Sequence, residues 1–190
     1  MKKTGFTIIE LVISIFIITV AVVGVYSAFS LAVILSSDAA NRLTAAYLVQ
    51  EGQEIVRNIR DTNWLEGEDW LEWLGSCSGG CEVDYSSVTT YGWGTSGRKL
   101  KVNDDGFYVY DGSFPETKFK RKITVTELNN NPTFAVLVKV EVSWDEKSNL
   151  LYLKQSAGEC NTKYNCVEAE ATLYDWYPSP TLPPTPPPAP

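Results

Sequence analysis

The chain has 190 residues, with 16 Lys and Arg against 23 Asp and Glu, no histidine, and a formal net charge of −7. That length suits one domain with an appended segment and allows a sizeable core, while the acidic balance argues against direct nucleic-acid binding. The lack of histidine removes a Ser-His triad and the commonest metal ligand, and no glycine loop stands in a phosphate-binding context, so no enzyme, cofactor or metal centre is expected.

The first element is an apolar helix. From Leu11 to Leu35 there is no charge and no proline, and about 25 residues at 1.5 Å each make a helix of roughly 37 Å. A hydrocarbon core of about 30 Å is crossed by that length with some tilt. Lys2 and Lys3 precede the run and Asp38 is the first charge after it, so the N-terminus is expected to stay inside. Cys77, Cys81, Cys160 and Cys166 then all fall outside, where disulfides persist. A cleaved secretory signal fits poorly, because its apolar region is only about 7 to 15 residues long.

Glu10 stands at the mouth of this run. A carboxylate in lipid costs several kcal/mol unless it snorkels or finds a partner. Lying at the inner headgroup level explains how Glu10 is tolerated, but gives it no role.

The stretch KKTGFTIIELV resembles the prepilin-type cleavage and methylation motif of type IV pilins and type II secretion pseudopilins. The resemblance implies a leader from Met1 to Gly5, a cut between Gly5 and Phe6 by a membrane prepilin peptidase, methylation of the new Phe6 amine, and Glu10 as the assembly carboxylate. In a filament of bundled helices, Glu10 of one subunit then pairs with the Phe6 amine of a neighbour. An unpaired buried charge is heavily penalised, so the pair selects axial register.

Beyond the apolar run the helix is expected to continue. No proline interrupts Asp38 to Arg60, and Ala45, Leu48, Gly52, Ile55, Val56 and Ile59 recur at spacings of three and four. The stripe predicts a face that supports a globular domain, with Glu51, Glu54, Arg57 and Arg60 as solvated charges. From Phe6 to Arg60 the predicted spine is roughly 82 Å long. Many pilins carry a proline in the apolar segment; here Ser27 stands in that neighbourhood.

Trp64, Trp70, Leu71, Trp73 and Leu74 predict a short helix or turn packed on the spine, followed by a loop. In KLKVNDDGFYVYDG, Asp105 and Gly106 separate two β-prone runs and predict a hairpin. Asp104, Asp105 and Asp111 raise calcium as an alternative, but their spacing matches no EF-hand loop and turn chemistry accounts for them.

Residues 118–177 read as β. Ile123 and Val125 alternate with Thr124 and Thr126, NNNP breaks the run, and Val136, Val138, Val140 and Val142 alternate again. The runs NLLYLKQS and VEAEATLYDWY complete a predicted antiparallel meander whose inner face covers the helix stripe. Four cysteines allow three connectivities. Sequence-local pairing, Cys77 with Cys81 and Cys160 with Cys166, is preferred because it closes two small loops. Zinc is disfavoured by spacings that lack a C-x2-C pair. The tail YPSPTLPPTPPPAP favours extended polyproline II and suits a solvated end.

The predicted fold class is thus α+β, a long N-terminal helical spine packed against an antiparallel β-meander. Its expected organisation is a leader at 1–5, a transmembrane and filament-core helix at 6–35, an amphipathic continuation at 36–61, an aromatic and Gly-rich loop region with a hairpin at 62–117, a sheet at 118–177 and a disordered Pro-rich tail at 178–190. The expected function is a structural subunit of a pilus or pseudopilus. Its expected partners are other such subunits, the peptidase, the assembly machinery and the membrane. Its expected location is the cytoplasmic membrane and then a surface filament. An uncleaved bitopic protein with a ligand-binding outer β domain is the alternative, and a secreted hydrolase is disfavoured.

Overall fold

The computed structural model describes residues 5, 7–86, 90–94, 97–128, 134–145, 160 and 165–176. Helix α1 runs Ile8–Glu66. Two compact units divide the chain, residues 1–41 and residues 42–190.

The first unit carries the apolar part of α1. Ile9, Val12, Phe16, Val23 and Phe29 are each more than half exposed. A helix long and apolar enough to cross a membrane is therefore present, with its apolar surface uncovered within its own unit. Its hydroxyls are absorbed locally: Ser14, Ser27 and Ser30 donate to the carbonyls of Glu10, Val23 and Tyr26 at 2.7, 2.9 and 3.0 Å. Thr19 donates to the Phe16 carbonyl at 2.8 Å. Such internal satisfaction is what a hydrocarbon surrounding demands.

The second unit packs the rest of α1 on a sheet, the α+β layering that the alternation and the helical stripe predict. Ala45, Leu48, Val49, Ile55 and Val56 are buried and Ile59 packs against them. The helix ends six residues later than the stripe suggests. Gly67, at φ 77°, adopts the left-handed conformation; its amide returns to the Trp64 carbonyl and that of Glu68 to the Asn63 carbonyl. These two bonds make a Schellman motif, so Trp64 belongs to the spine and not to a separate turn.

Five strands form the main sheet, in the order β2 (Tyr91–Gly92), β1 (Cys81–Glu82), β5 (Phe119–Glu127), β6 (Ala135–Trp144), β7 (Cys166–Tyr174). All neighbours are antiparallel. The β5–β6 register sets Ile123 opposite Val140 and Val125 opposite Val138, and the β6–β7 register sets Ala169 and Ala171 opposite the same two valines. Alternate residues of β5, Phe119 to Val125, are buried, as period two requires. A 3-10 helix, Leu74–Gly79, leads into β1. A separate ribbon pairs β3 (Lys101–Val102) with β4 (Tyr108–Val109) around the Asp105-Gly106 turn.

The helix meets the sheet closely at Gly52. A Cβ there would lie 2.8 Å from Val140 Cγ1 and 3.1 Å from Arg121 Cδ, so the position has room only for glycine. Strands β6 and β7 pair directly; the run 149–156, predicted as a further strand, and the tail 178–190 lie outside the described residues.

Candidate functional site

At the head of α1, Gly5 is exposed and Phe6 lies outside the described residues. Thr7 precedes the first helical residue. Its backbone N–H and its hydroxyl both donate to Glu10 Oε2, at 2.9 and 2.7 Å. The amides of Glu10 and Leu11 in turn reach the Thr7 carbonyl at 3.1 and 3.3 Å. Thr7 is thus the N-cap and Glu10 the third helical residue, whose carboxylate satisfies the cap's amide as in a capping box. Negative charge in a first helical turn also complements the helix dipole. The sequence signal was Thr7-x-x-Glu10, which an interfacial reading of Glu10 alone passes over. Among the described residues no bond falls on Oε1.

In the second unit, a buried polar network crosses the layers. Arg121 on β5 is fully buried. Its guanidinium donates to the carbonyls of Leu48 at 3.3 Å and Val83 at 2.8 Å, and it pairs with Glu51 at 3.4 Å. Glu51 is therefore no solvated charge: it is one-third exposed and faces a buried cation. Arg121 Nε has no partner among the described residues. Glu82, 1 % exposed, accepts from both the amide and Nε of Arg98. Asp84 accepts from the Tyr110 amide at 2.8 Å.

Tyr110 is buried, and its hydroxyl donates to the Arg121 carbonyl at 2.8 Å. Burial pushes its phenol well above the usual range, against the smaller opposing pull of Arg121. A raised folded-state pKa holds the proton in the native form, so stability is complete below pH about 10 and falls above it. The loss of stability expected from Tyr110 between pH 9 and 11 is about 1.4 kcal/mol in total. Tyr110→Phe should flatten alkaline unfolding by that amount, read by denaturant titration between pH 9 and 11. An unchanged slope would contradict the assignment.

The cysteines pair locally, Cys77 with Cys81 and Cys160 with Cys166. All four sulfurs are thereby oxidised, leaving no thiolate for zinc. The Cys160 amide donates to Glu141 at 3.2 Å, which ties Cys160 to β6. Glu141, Cys160 and Glu168 converge, but that sulfur is in a disulfide and Lys139 lies between the carboxylates, 3.6 Å from Glu141 and 3.0 Å from Glu168. Of the calcium candidates, Asp111 pairs with Arg98 at 3.3 Å. Asp104 and Asp105 occupy the β3–β4 turn, where Asn103 Oδ1 accepts the amides of Asp105 and Phe107 at 3.1 and 2.8 Å.

Residues 1–26 match the family model of the prokaryotic N-terminal methylation motif, the signature of type IV pilins and pseudopilins. No curated protein and no solved structure matched the chain. The match thus supports a pilin-like precursor through residues 1–26, and the α+β module with disulfides beyond it is shown by the structure alone.

Proposed function

We propose that the chain is a structural subunit of a type IV pilus or pseudopilus, made as a membrane-inserted precursor, cut between Gly5 and Phe6, methylated at the Phe6 amine and assembled through α1. The observation that carries this reading is the methylation motif set directly against a membrane-length apolar helix. Residues 1–5 are the leader and 6–35 the filament-core segment. The chain enters the cytoplasmic membrane with Lys2 and Lys3 inside, and its module meets the oxidising exterior that suits its disulfides. Other pilin-like subunits, the prepilin peptidase and the assembly machinery are its partners, and its role is structural and not catalytic.

Glu10 is suited to two partners at once. Thr7 engages only Oε2, so Oε1 remains for the methylated amine of an adjacent subunit, a donor that is largely positive near neutral pH. Shearing of cell-surface filaments tests the reading. The chain should appear in the sheared fraction of cells with prepilin peptidase and remain in the membrane without it. Recovery from the sheared fraction irrespective of the peptidase would contradict the proposal.

A further inference from the structure

Past β7 the chain leaves the second unit among exposed aromatic rings. Asp175 is tied down on two sides: its amide donates to the Phe134 carbonyl at 2.9 Å, and its carboxylate accepts from the Trp64 indole at 3.2 Å. Trp176 follows and meets Trp64 edge to face at 5.0 Å. Trp64 is itself held, with Arg60 over its ring at 4.6 Å and Trp70 stacked at 6.4 Å. Trp176 is nonetheless 65 % exposed, and so are Phe134 at 55 % and Tyr174 at 48 %, whose ring centroids lie 5.9 Å apart. At most about 7 Å of chain separates Tyr174 from Trp176. Three large exposed rings thus crowd one exit, a grouping that marks a contact surface.

What leaves by that exit is YPSPTLPPTPPPAP, a segment rich in proline and without a single charge. Aromatic surfaces take polyproline II segments because the conformation is preformed and costs little entropy to bind. With three residues per turn, Pro180, Pro183 and Pro186 share one edge of such a segment, and Pro184, Pro187 and Pro190 another. From 178 to 190 every residue but Thr181 is a proline or is followed by one, and both conditions favour extended backbone. Thr181 is therefore where a bend costs least. A short arm, 178–180, leads away from Trp176, and a longer arm, 182–190, of about 28 Å in polyproline II, is long enough to return over the rings.

We infer that Phe134, Tyr174 and Trp176 form a polyproline II-binding surface and that residues 182–190 of the same chain occupy it. Attachment a few residues away gives this segment an effective concentration in roughly the millimolar range, which any segment of another molecule must outcompete. Its lack of charge suits a surface made of rings, and docking covers apolar area that the unit otherwise leaves to water. The Trp64 contact holds Trp176 ready for it, so little ordering is left to do on the receiving side. The inference goes beyond the filament reading and stands apart from it, since it holds for a chain that starts at Met1 or at Phe6.

Limited digestion of the full-length chain in detergent micelles, with a proline-specific endoprotease that accepts whole proteins, tests the docking. Cuts at the Pro184–Thr185 and Pro188–Ala189 bonds are followed by intact mass. Both should proceed about tenfold more slowly than in a free peptide of residues 177–190, because only the undocked form is a substrate. Thr181→Pro stiffens the bend, alters the tail alone and should remove the protection. Trp176→Ala should remove it too, with the unfolding midpoint of the second unit unchanged. Cutting as fast as in the free peptide would overturn the inference, as would protection that persists in both variants. Protection that rises with protein concentration would also overturn it, and would assign the surface to the tail of a second copy.

Discussion

Glu10→Ala should lower surface filament yield about tenfold or more while leaving the Gly5–Phe6 cut intact. On the proposed processing its cause is the Phe6 amine, which the cut would create with a positive charge near neutral pH. Buried among apolar helices with no carboxylate, that charge is heavily penalised, and subunits in the native register lose their advantage over any other register. Capping must be separated from charge, because Glu10 also accepts the Thr7 amide and hydroxyl. Losing such a cap costs about 1 kcal/mol at a helix end. Thr7→Ala, which keeps the carboxylate, should therefore retain yield within about threefold, whereas Glu10→Gln, which keeps an acceptor but no charge, should fail like Glu10→Ala. Wild-type yield for Glu10→Ala with normal processing would contradict the role.

Arg121→Ala should destabilise the second unit by about 3 kcal/mol, and nothing at the N-terminus should change. Arg121 joins three segments: from β5 it holds the Leu48 carbonyl and Glu51 on α1 and the Val83 carbonyl beyond β1. Truncation leaves those acceptors without a donor, faces Glu51 with a void, and removes the alkyl stem that packs beneath Gly52. Arg121→Met keeps most of the volume and should cost less. Adding Glu51→Gln to it should recover part of the remaining loss, since the orphaned charge is then gone. Denaturant unfolding followed by tryptophan fluorescence reads this directly, because all six tryptophans lie beyond position 60. A loss below about 0.5 kcal/mol for Arg121→Ala would show that the network carries no net stability.

The parts legible in the sequence were those with a period or a run. The uncharged stretch Leu11 to Leu35, the stripe through Ala45 and Val56, and the alternation of β5 and β6 each repeat often enough to stand out. Strands β1 and β2 are two residues each and hold no period at all, so they surface only through pairing, β1 with β5 and β2 with β1. Arg121 was hidden by composition: KFKRK reads as solvated, although period two puts Arg121 on the inward face with Phe119 and Ile123. Its partner Glu51 lies beside the stripe, one turn from Leu48, and only the sheet's cation pulls it inward. The stop at Gly67 and the cap at Thr7 had local signals, a glycine after the last helical turn and a threonine three residues before a glutamate. Both signals sit outside the apolar periodicity and yield to it when that pattern alone sets the boundaries.

The central claim is that the chain is a processed pilin-like subunit. Intact mass and N-terminal sequencing of the unreduced protein from membrane and surface fractions test it most directly. The account predicts a chain that begins at Phe6, is heavier by one methyl group, and lacks the four thiol hydrogens removed by its two disulfides. A chain that begins at Met1 in both fractions would contradict it and leave an uncleaved, membrane-anchored protein.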